Sequence, residues 1–146
     1  MPVVLSGVEQ TRAVGRRLAA GLRAGDLVVL SGPLGAGKTA LTQGIGAGLG
    51  VLGAVTSPTF VLARVHRGPL PLVHVDAYRL RDSGGGLEDL DLDDTLPYCV
   101  TVVEWGEGLV EALSDSRLDV HLARGDGPED RRTARVVTHG PRWAVL

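Results

Sequence analysis

The sequence predicts an α/β fold in which a largely parallel sheet is the central of three layers. Two observations support this prediction. Apolar runs of strand length alternate with segments of helical periodicity, and a glycine-rich motif joins the apolar run Leu27–Leu30 to the start of a helix. The chain has 146 residues and shows neither an internal repeat nor a linker. We therefore expect one domain over residues 1–146.

The first predicted element is an amphipathic helix from about Val8 to Arg23. Ser6 and Glu9 have the spacing of a capping box, in which each side chain satisfies a free N–H at the helix start. Apolar residues then recur at helical spacing, at Val14, Leu18 and Leu22. A turn at Gly25-Asp26 leads from this helix to the strand Leu27–Leu30.

The second predicted helix runs from about Lys38 to Gly48. It contains three glycines, each of which lowers helix propensity: Gly44, Gly46 and Gly48. These glycines indicate either close packing on the sheet or local mobility.

The remaining strands follow from apolar runs and turn residues. Gly68-Pro69 separates Phe60–Val65 from Leu70–Val75, which suggests an antiparallel hairpin. The elements expected after the hairpin are a buried strand at Val100–Val103, a helix at Glu107–Leu113, and strands at Leu118–Leu122 and Arg132–Thr138.

The motif between the first strand and the second helix is typical of a phosphate-binding loop. Gly32–Thr39 fits G-x-x-x-x-G-K-[ST] at every fixed position. Glycines let backbone N–H groups converge on phosphate, and the helix N-terminus adds the positive end of its dipole. Lys38 would reach the β- and γ-phosphates, and the Thr39 hydroxyl would ligate Mg²⁺. The chain is therefore predicted to bind a nucleoside triphosphate.

Two carboxylates could complete a magnesium site. Asp76 and Glu104 each follow a buried-type strand, at the end where ligands of open α/β sheets bind. Each acid alone could equally be a helix cap or a turn residue. Strand alternation places His74 on the same face as Asp76, where it could orient a ligand, although a satisfied core histidine is the simpler interpretation. Trp105 could be a core residue or could cover the nucleotide.

Composition restricts the partners and the compartment. The net charge of −2 lacks the basic excess of a protein that grips a nucleic-acid backbone unaided, so we expect no DNA binding. The one cysteine, Cys99, is read as a core residue. The N-terminus has no signal-peptide pattern and no run reaches membrane-spanning length, so we expect no membrane contact and a cytoplasmic protein.

Several motifs, taken in their order along the chain, resemble those of the TsaE family, formerly called YjeE. The matching segments, which lie between about Ser6 and Val137, are Gly32 with Leu34–Thr39, Ser57–Phe60, His74–Leu80 and Val103–Trp105. The spacing of S-P-T, H-x-D-x-Y-R and E-W after the phosphate loop is more specific than the loop itself. The resemblance implies a P-loop NTPase-like fold and a bacterial ATPase required for threonylcarbamoyladenosine modification of tRNA.

The resemblance also implies roles for individual residues. Thr39 and Glu104 would ligate Mg²⁺, Asp76 would fill a second acidic position near the metal, and Ser57-Pro58-Thr59 would form a nucleotide-sensing loop. Backbone between Val8 and Thr11 would contact adenine, and Arg132 would touch the nucleotide. The residues implied to bind ATP in and beside the loop are Gly32, Leu34, Gly35, Ala36, Gly37, Lys38, Thr39 and Ala40. Lys38, Asp76 and Glu104 would be the catalytic residues.

Members of the family act with TsaD and TsaB, which carry out the carbamoyl transfer. ATP hydrolysis would reset or permit turnover of that complex, and tRNA would be met indirectly, through the partners. One departure is Pro33, which stands where many relatives have an acidic residue. Proline has no N–H to donate to phosphate, but the position precedes the main donors, so we expect binding to survive.

Two other functions use the same loop. A small-molecule phosphotransferase would need an acceptor pocket and usually a basic lid, whereas Ser83–Asp94 is acidic. A regulatory module would change its docking with nucleotide state, and hydrolysis would be incidental. A GTPase is disfavoured because the chain has no N-K-x-D motif.

Overall fold

The computed structural model describes residues 3–33, 37–51, 63–76, 96–104, 114–124 and 131–143. These residues form a seven-stranded sheet of order β1-β7-β6-β2-β5-β4-β3. The strands are β1 Val3–Ser6, β2 Leu27–Ser31, β3 Ala63–His66, β4 Leu72–Asp76, β5 Val100–Glu104, β6 Arg117–Arg124 and β7 Arg131–His139. The helices are α1 Val8–Ala19 and α2 Lys38–Leu49, with short 3-10 turns at Leu96–Tyr98 and Pro141–Trp143.

The centre of the sheet is parallel and both edges are antiparallel. β2 pairs in parallel with both β5 and β6, and β4 pairs in parallel with β5. The β3–β4 pair is the predicted antiparallel hairpin, with His66 opposite Leu72. At the other edge β7 pairs antiparallel with β6 and with β1. The predicted α/β class with a parallel central sheet is confirmed.

Both described helices lie on one face of the sheet. Side chains of α1 and α2 share a core with alternate residues of the strands, among them Leu30, Val102 and Val120. Residues on the opposite face of the central strands, such as Val29 and Val103, are equally buried. Burial on both faces explains why β2 and β5 are unbroken apolar runs in the sequence.

The predicted start of the first helix is wrong in its details. Ser6 belongs to β1, and the N-cap is Gly7, whose φ of 86° favours glycine and which has no side chain to cap the helix. The Ser6 N–H instead donates to Gln10 Oε1 over 2.7 Å, so no capping box with Glu9 forms. The helix also ends at Ala19 rather than at Arg23. β1 was not predicted, because four residues at a sheet edge give little periodicity.

Two of the three predicted glycines of α2, Gly44 and Gly48, allow close packing against α1 rather than against the sheet. A Cβ added to Gly44 would overlap the carbonyl oxygen of Arg12, and one added to Gly48 would lie 2.5 Å from the Ala19 Cβ. Gly15 of α1 lies equally close to α2, because a Cβ added there would overlap the carbonyl oxygen of Leu41. For these two glycines close packing is therefore the correct explanation, but the element that they pack against is α1 and not the sheet.

The carboxyl ends of the parallel strands β2, β4 and β5 meet at one edge of the sheet, beside the start of α2. Ligands of open α/β folds bind at this edge. No helix in the described part of the chain has the length and apolar character needed to span a membrane.

Candidate functional site

The glycine loop begins at a position that only glycine can occupy. Gly32 follows the last residue of β2 with φ 142°, and a side chain there would overlap the backbone carbonyl of Leu122 in β6. The next part of the motif, Leu34, Gly35 and Ala36, lies outside the described residues. The steric demand of Leu122 could not be read from the sequence, because β6 is remote along the chain.

The other end of the loop presents a helix N-terminus suited to an anion. Gly37 is the N-cap of α2 in a left-handed conformation, with φ 107°, and no side chain caps the helix. The first turn, which includes Thr39 and Ala40, contains no acidic residue. Its N–H groups have no acceptors within the helix, and their dipoles favour negative charge.

Lys38 turns back from α2 toward the beginning of the loop. Its side chain is almost entirely buried, and Nζ donates a hydrogen bond of 2.6 Å to the carbonyl oxygen of Gly32. The carbonyl oxygen of Pro33 lies 3.5 Å from the same nitrogen. Pro33 therefore faces Lys38 with its carbonyl oxygen, the one backbone group at this position that could accept a hydrogen bond from an ammonium.

The two predicted carboxylates lie at neighbouring strand ends and act on Lys38. Asp76 is the register partner of Glu104 across the β4–β5 pair, and Glu104 is 7% exposed. Burial lowers the pKa of Lys38 below its ordinary value of 10.5, while the negative charges of Glu104 and then Asp76 oppose that shift. The structure thus brings Lys38, Asp76 and Glu104 into one electrostatic cluster.

His74 is joined to this cluster. It is fully buried in β4, and its Nε2 lies 2.6 Å from Glu104 Oε2. His74 is thus a buried, hydrogen-bonded histidine, as in the simpler interpretation, and its described partner is the site carboxylate. Strand alternation was the available signal, because it placed His74 on the face of Asp76.

Two further residues of the prediction lie beside the start of α2. A Cβ at Gly37 would lie 3.4 Å from both Arg132 Cδ and Thr11 Cγ2. Arg132 reaches this point from β7, and Thr11 from α1, where it is buried. Val8 lies on the surface of α1 and is 41% exposed. The structure thus brings Arg132 and Thr11 close to the N-cap, and the backbone contact with adenine predicted between Val8 and Thr11 stays a prediction.

Other predicted features lie outside the described residues. They are Leu34–Ala36, the proposed sensing loop Ser57-Pro58-Thr59, the segment Tyr78–Leu80, the acidic stretch, Trp105 and the helix Glu107–Leu113. The predictions for these residues therefore stay predictions.

The oxygen donors present are of the kind that suits Mg²⁺. Within the described ranges no group of three or more His, Cys, Asp or Glu side chains could hold a metal by itself. The hydroxyl of Thr39 and the carboxylates of Asp76 and Glu104 are hard donors, and Mg²⁺ commonly takes one or two carboxylates together with water and substrate phosphate. This donor set fits a magnesium ion that arrives with a nucleotide.

Comparison with known proteins identifies relatives that match most of the chain. Residues 5–134 match the family described as "Threonylcarbamoyl adenosine biosynthesis protein TsaE". The chain is 60% identical over 140 residues to the tRNA threonylcarbamoyladenosine biosynthesis protein TsaE of Streptomyces coelicolor, covering 92% of this chain and 94% of the relative. The protein of the same name from Bacillus subtilis is 38% identical, with coverage of 94% and 85%.

A solved structure agrees with the sequence relationship. The crystal structure of YdiB from Bacillus subtilis superposes with a TM-score of 0.78 at 31% identity, covering 97% of this chain and 86% of that one. This similarity confirms the predicted P-loop NTPase fold.

The buried lysine makes stability depend on pH. We compare the wild type with Lys38→Met, which keeps most of the length of the side chain and removes its charge. The folded-state pKa of Lys38 is below its ordinary value of 10.5. At pH values between the two, Lys38 therefore binds more protons in the unfolded chain than in the folded protein. The free energy of unfolding of the wild type should therefore rise relative to the variant as the pH increases through this window. Urea denaturation at several pH values from neutral to 10.5 measures it. A relative loss of wild-type stability over the same range would contradict the lowered pKa.

Proposed function

Because the chain belongs to the TsaE family, we propose that it is a magnesium-dependent ATPase that supports the biosynthesis of threonylcarbamoyladenosine in tRNA. One observation carries the ATPase part of this proposal. The buried Lys38 ammonium lies at the start of α2, bonded to the loop carbonyl of Gly32 and close to the carboxylates of Glu104 and Asp76. A cation, an open helix N-terminus and two acids at one sheet edge are the parts that phosphoryl transfer from ATP requires.

Lys38 supports the proposal through its donors. An ammonium combines a full positive charge with three N–H donors, so phosphate oxygens would be favourable acceptors for Lys38 Nζ beside the carbonyls of Gly32 and Pro33. Its charge would offset negative charge that develops on the γ-phosphate, and the first-turn N–H groups of α2 would hold the triphosphate. Because the site is largely buried, these interactions act in a medium less polar than water, where they are stronger.

The oxygen donors have a separate role. Thr39 and Glu104 would hold Mg²⁺, with Asp76 at a second acidic position near it. When bound, Mg²⁺ would supply positive charge to offset the negative charge that develops on the phosphate in the transition state. Asp76 is only partly buried, so it is the carboxylate that water can approach. We assign it the orientation of the attacking water, either alone or with a group supplied by a partner.

The biosynthesis of threonylcarbamoyladenosine suggests the partners and the compartment of this activity. We propose that the chain works in the cytoplasm in a complex with TsaB and TsaD, that it hydrolyses ATP slowly alone, and that it meets tRNA through these partners. The loop Ser57-Pro58-Thr59 would report the nucleotide state to the complex.

Removing either charge at the centre of the site should abolish turnover. Lys38→Ala and Glu104→Ala are each expected to lower ATP hydrolysis in the assembled complex by at least about 100-fold, because each removes a group that stabilises transition-state charge. Release of ADP and phosphate is measured by a coupled assay, which also separates hydrolysis from transfer to a metabolite. Asp119→Asn is the control, since Asp119 bonds Arg117 and His139 on β6 and β7 and is not part of the site. Near wild-type turnover in both alanine variants would defeat the assignment.

Substitution of two adjacent arginines tests whether the nucleotide is contacted at the N-cap of α2. Arg132 approaches Gly37, whereas Arg131 precedes it on the opposite face of β7 and is exposed. Arg132→Leu should raise the Kd for ATP about tenfold, as expected for the loss of a charge-assisted contact of about 1.4 kcal/mol. Arg131→Leu should leave the Kd unchanged. Calorimetric titration measures both values, and equal affinities in the two variants would exclude Arg132 from the nucleotide site.

A further inference from the structure

The bond between His74 and Glu104 is a buried polar contact beside the site. His74 is 0% exposed and Glu104 is 7% exposed, and Nε2 lies 2.6 Å from Oε2. Hydrogen bonds to an ionised group are shorter and stronger than neutral ones, and this contact is a short one. The contact therefore restrains both side chains.

The sheet fixes the two ends of this contact. β5 lies between β2 and β4, so the backbone of Glu104 is held on both sides. In the β4–β5 register Glu104 is opposite Asp76, and His74 is opposite Val102, one side-chain step back along the same face. The imidazole thus reaches diagonally to the end of the neighbouring strand. A glutamate has several rotatable bonds, and this contact removes freedom that would otherwise be lost when a ligand binds.

The direction of the hydrogen bond follows from the chemistry of its partners. An ionised carboxylate has no proton to give, so His74 Nε2 donates and Glu104 Oε2 accepts. The other ring nitrogen, Nδ1, is buried and has no hydrogen-bond partner among the described residues. The ring therefore makes its one described hydrogen bond to Glu104, which is the arrangement of a group that orients a carboxylate.

We propose that His74 is a positioning residue that holds Glu104 through Oε2 and so presents Oε1 to the divalent cation. This inference rests on the proposed function, since it takes Glu104 as a ligand of Mg²⁺. It adds a residue that touches neither nucleotide nor metal. Its effect should appear in metal affinity while the binding of nucleotide without metal stays the same.

His74→Met and His74→Gln form a matched pair of test variants. The two new side chains have similar length, but only glutamine can donate to Glu104 Oε2. With a non-hydrolysable ATP analogue bound, Mn²⁺ affinity measured by electron paramagnetic resonance should fall about 10- to 100-fold in His74→Met. In His74→Gln most of the affinity should return. Affinity for the same analogue in EDTA should be unchanged in both variants.

His66→Met is the control for loss of a buried histidine. His66 lies on the adjacent strand β3, is also buried, and its Nε2 has no hydrogen-bond partner in the described part of the chain. Its replacement should leave Mn²⁺ affinity at the wild-type value. Wild-type affinity in His74→Met, or an equal loss in His66→Met, would overturn the role of His74. Failure of the wild type to bind the analogue would instead contradict the proposed function.

A measurement on the wild type covers the case in which His74→Met does not fold. The chain has four histidines, so the ¹⁵N signals of its imidazoles can be assigned by substitution. We expect His74 to carry a proton on Nε2. A bare Nε2 could not donate to Glu104 and would overturn the inference.

Discussion

The site depends on keeping one ammonium out of water at the start of a helix. Polar groups surround the buried ammonium of Lys38: the carbonyl of Gly32 accepts a hydrogen bond from Nζ, and the carboxylates of Glu104 and Asp76 supply opposite charge. These groups come from three different elements, the end of β2 and the ends of β4 and β5. The parallel register of those strands is therefore the condition that makes the cluster possible.

The packing of the helices and strands maintains this arrangement. Gly15, Gly44 and Gly48 let α1 and α2 approach closely, and the pair then covers one face of the sheet as a unit. Gly32 lets the loop leave β2 beneath the carbonyl of Leu122. The central strands are buried on both faces, so Glu104 and His74 are held by a rigid support. The glycines that lower helix propensity in α2 thus help to place its N-terminus.

Much of this architecture could be predicted from the sequence because its signals are local. The apolar runs predicted β2, β4 and β5, and the glycine motif predicted the loop between β2 and the start of α2. Asp76 and Glu104 were predicted to belong to the site because each follows a strand, and the register places them side by side. Contacts between residues that are distant along the chain could not be predicted in this way. The overlap of Gly32 with Leu122, the approach of Gly44 to Arg12 and the bond from His74 to Glu104 all depend on tertiary packing, which periodicity does not encode.

Lys38 and the N-terminus of α2 are the groups proposed to bind the triphosphate of ATP. Lys38 is the only lysine of the chain, so protein labelled with ¹³C-lysine gives a single Cε resonance from the site. Adding ATP with Mg²⁺ should shift this resonance, because phosphate oxygens become partners of Nζ, and adding adenosine, which lacks phosphates, should not. A Cε resonance that stays in place at saturating ATP would contradict the account.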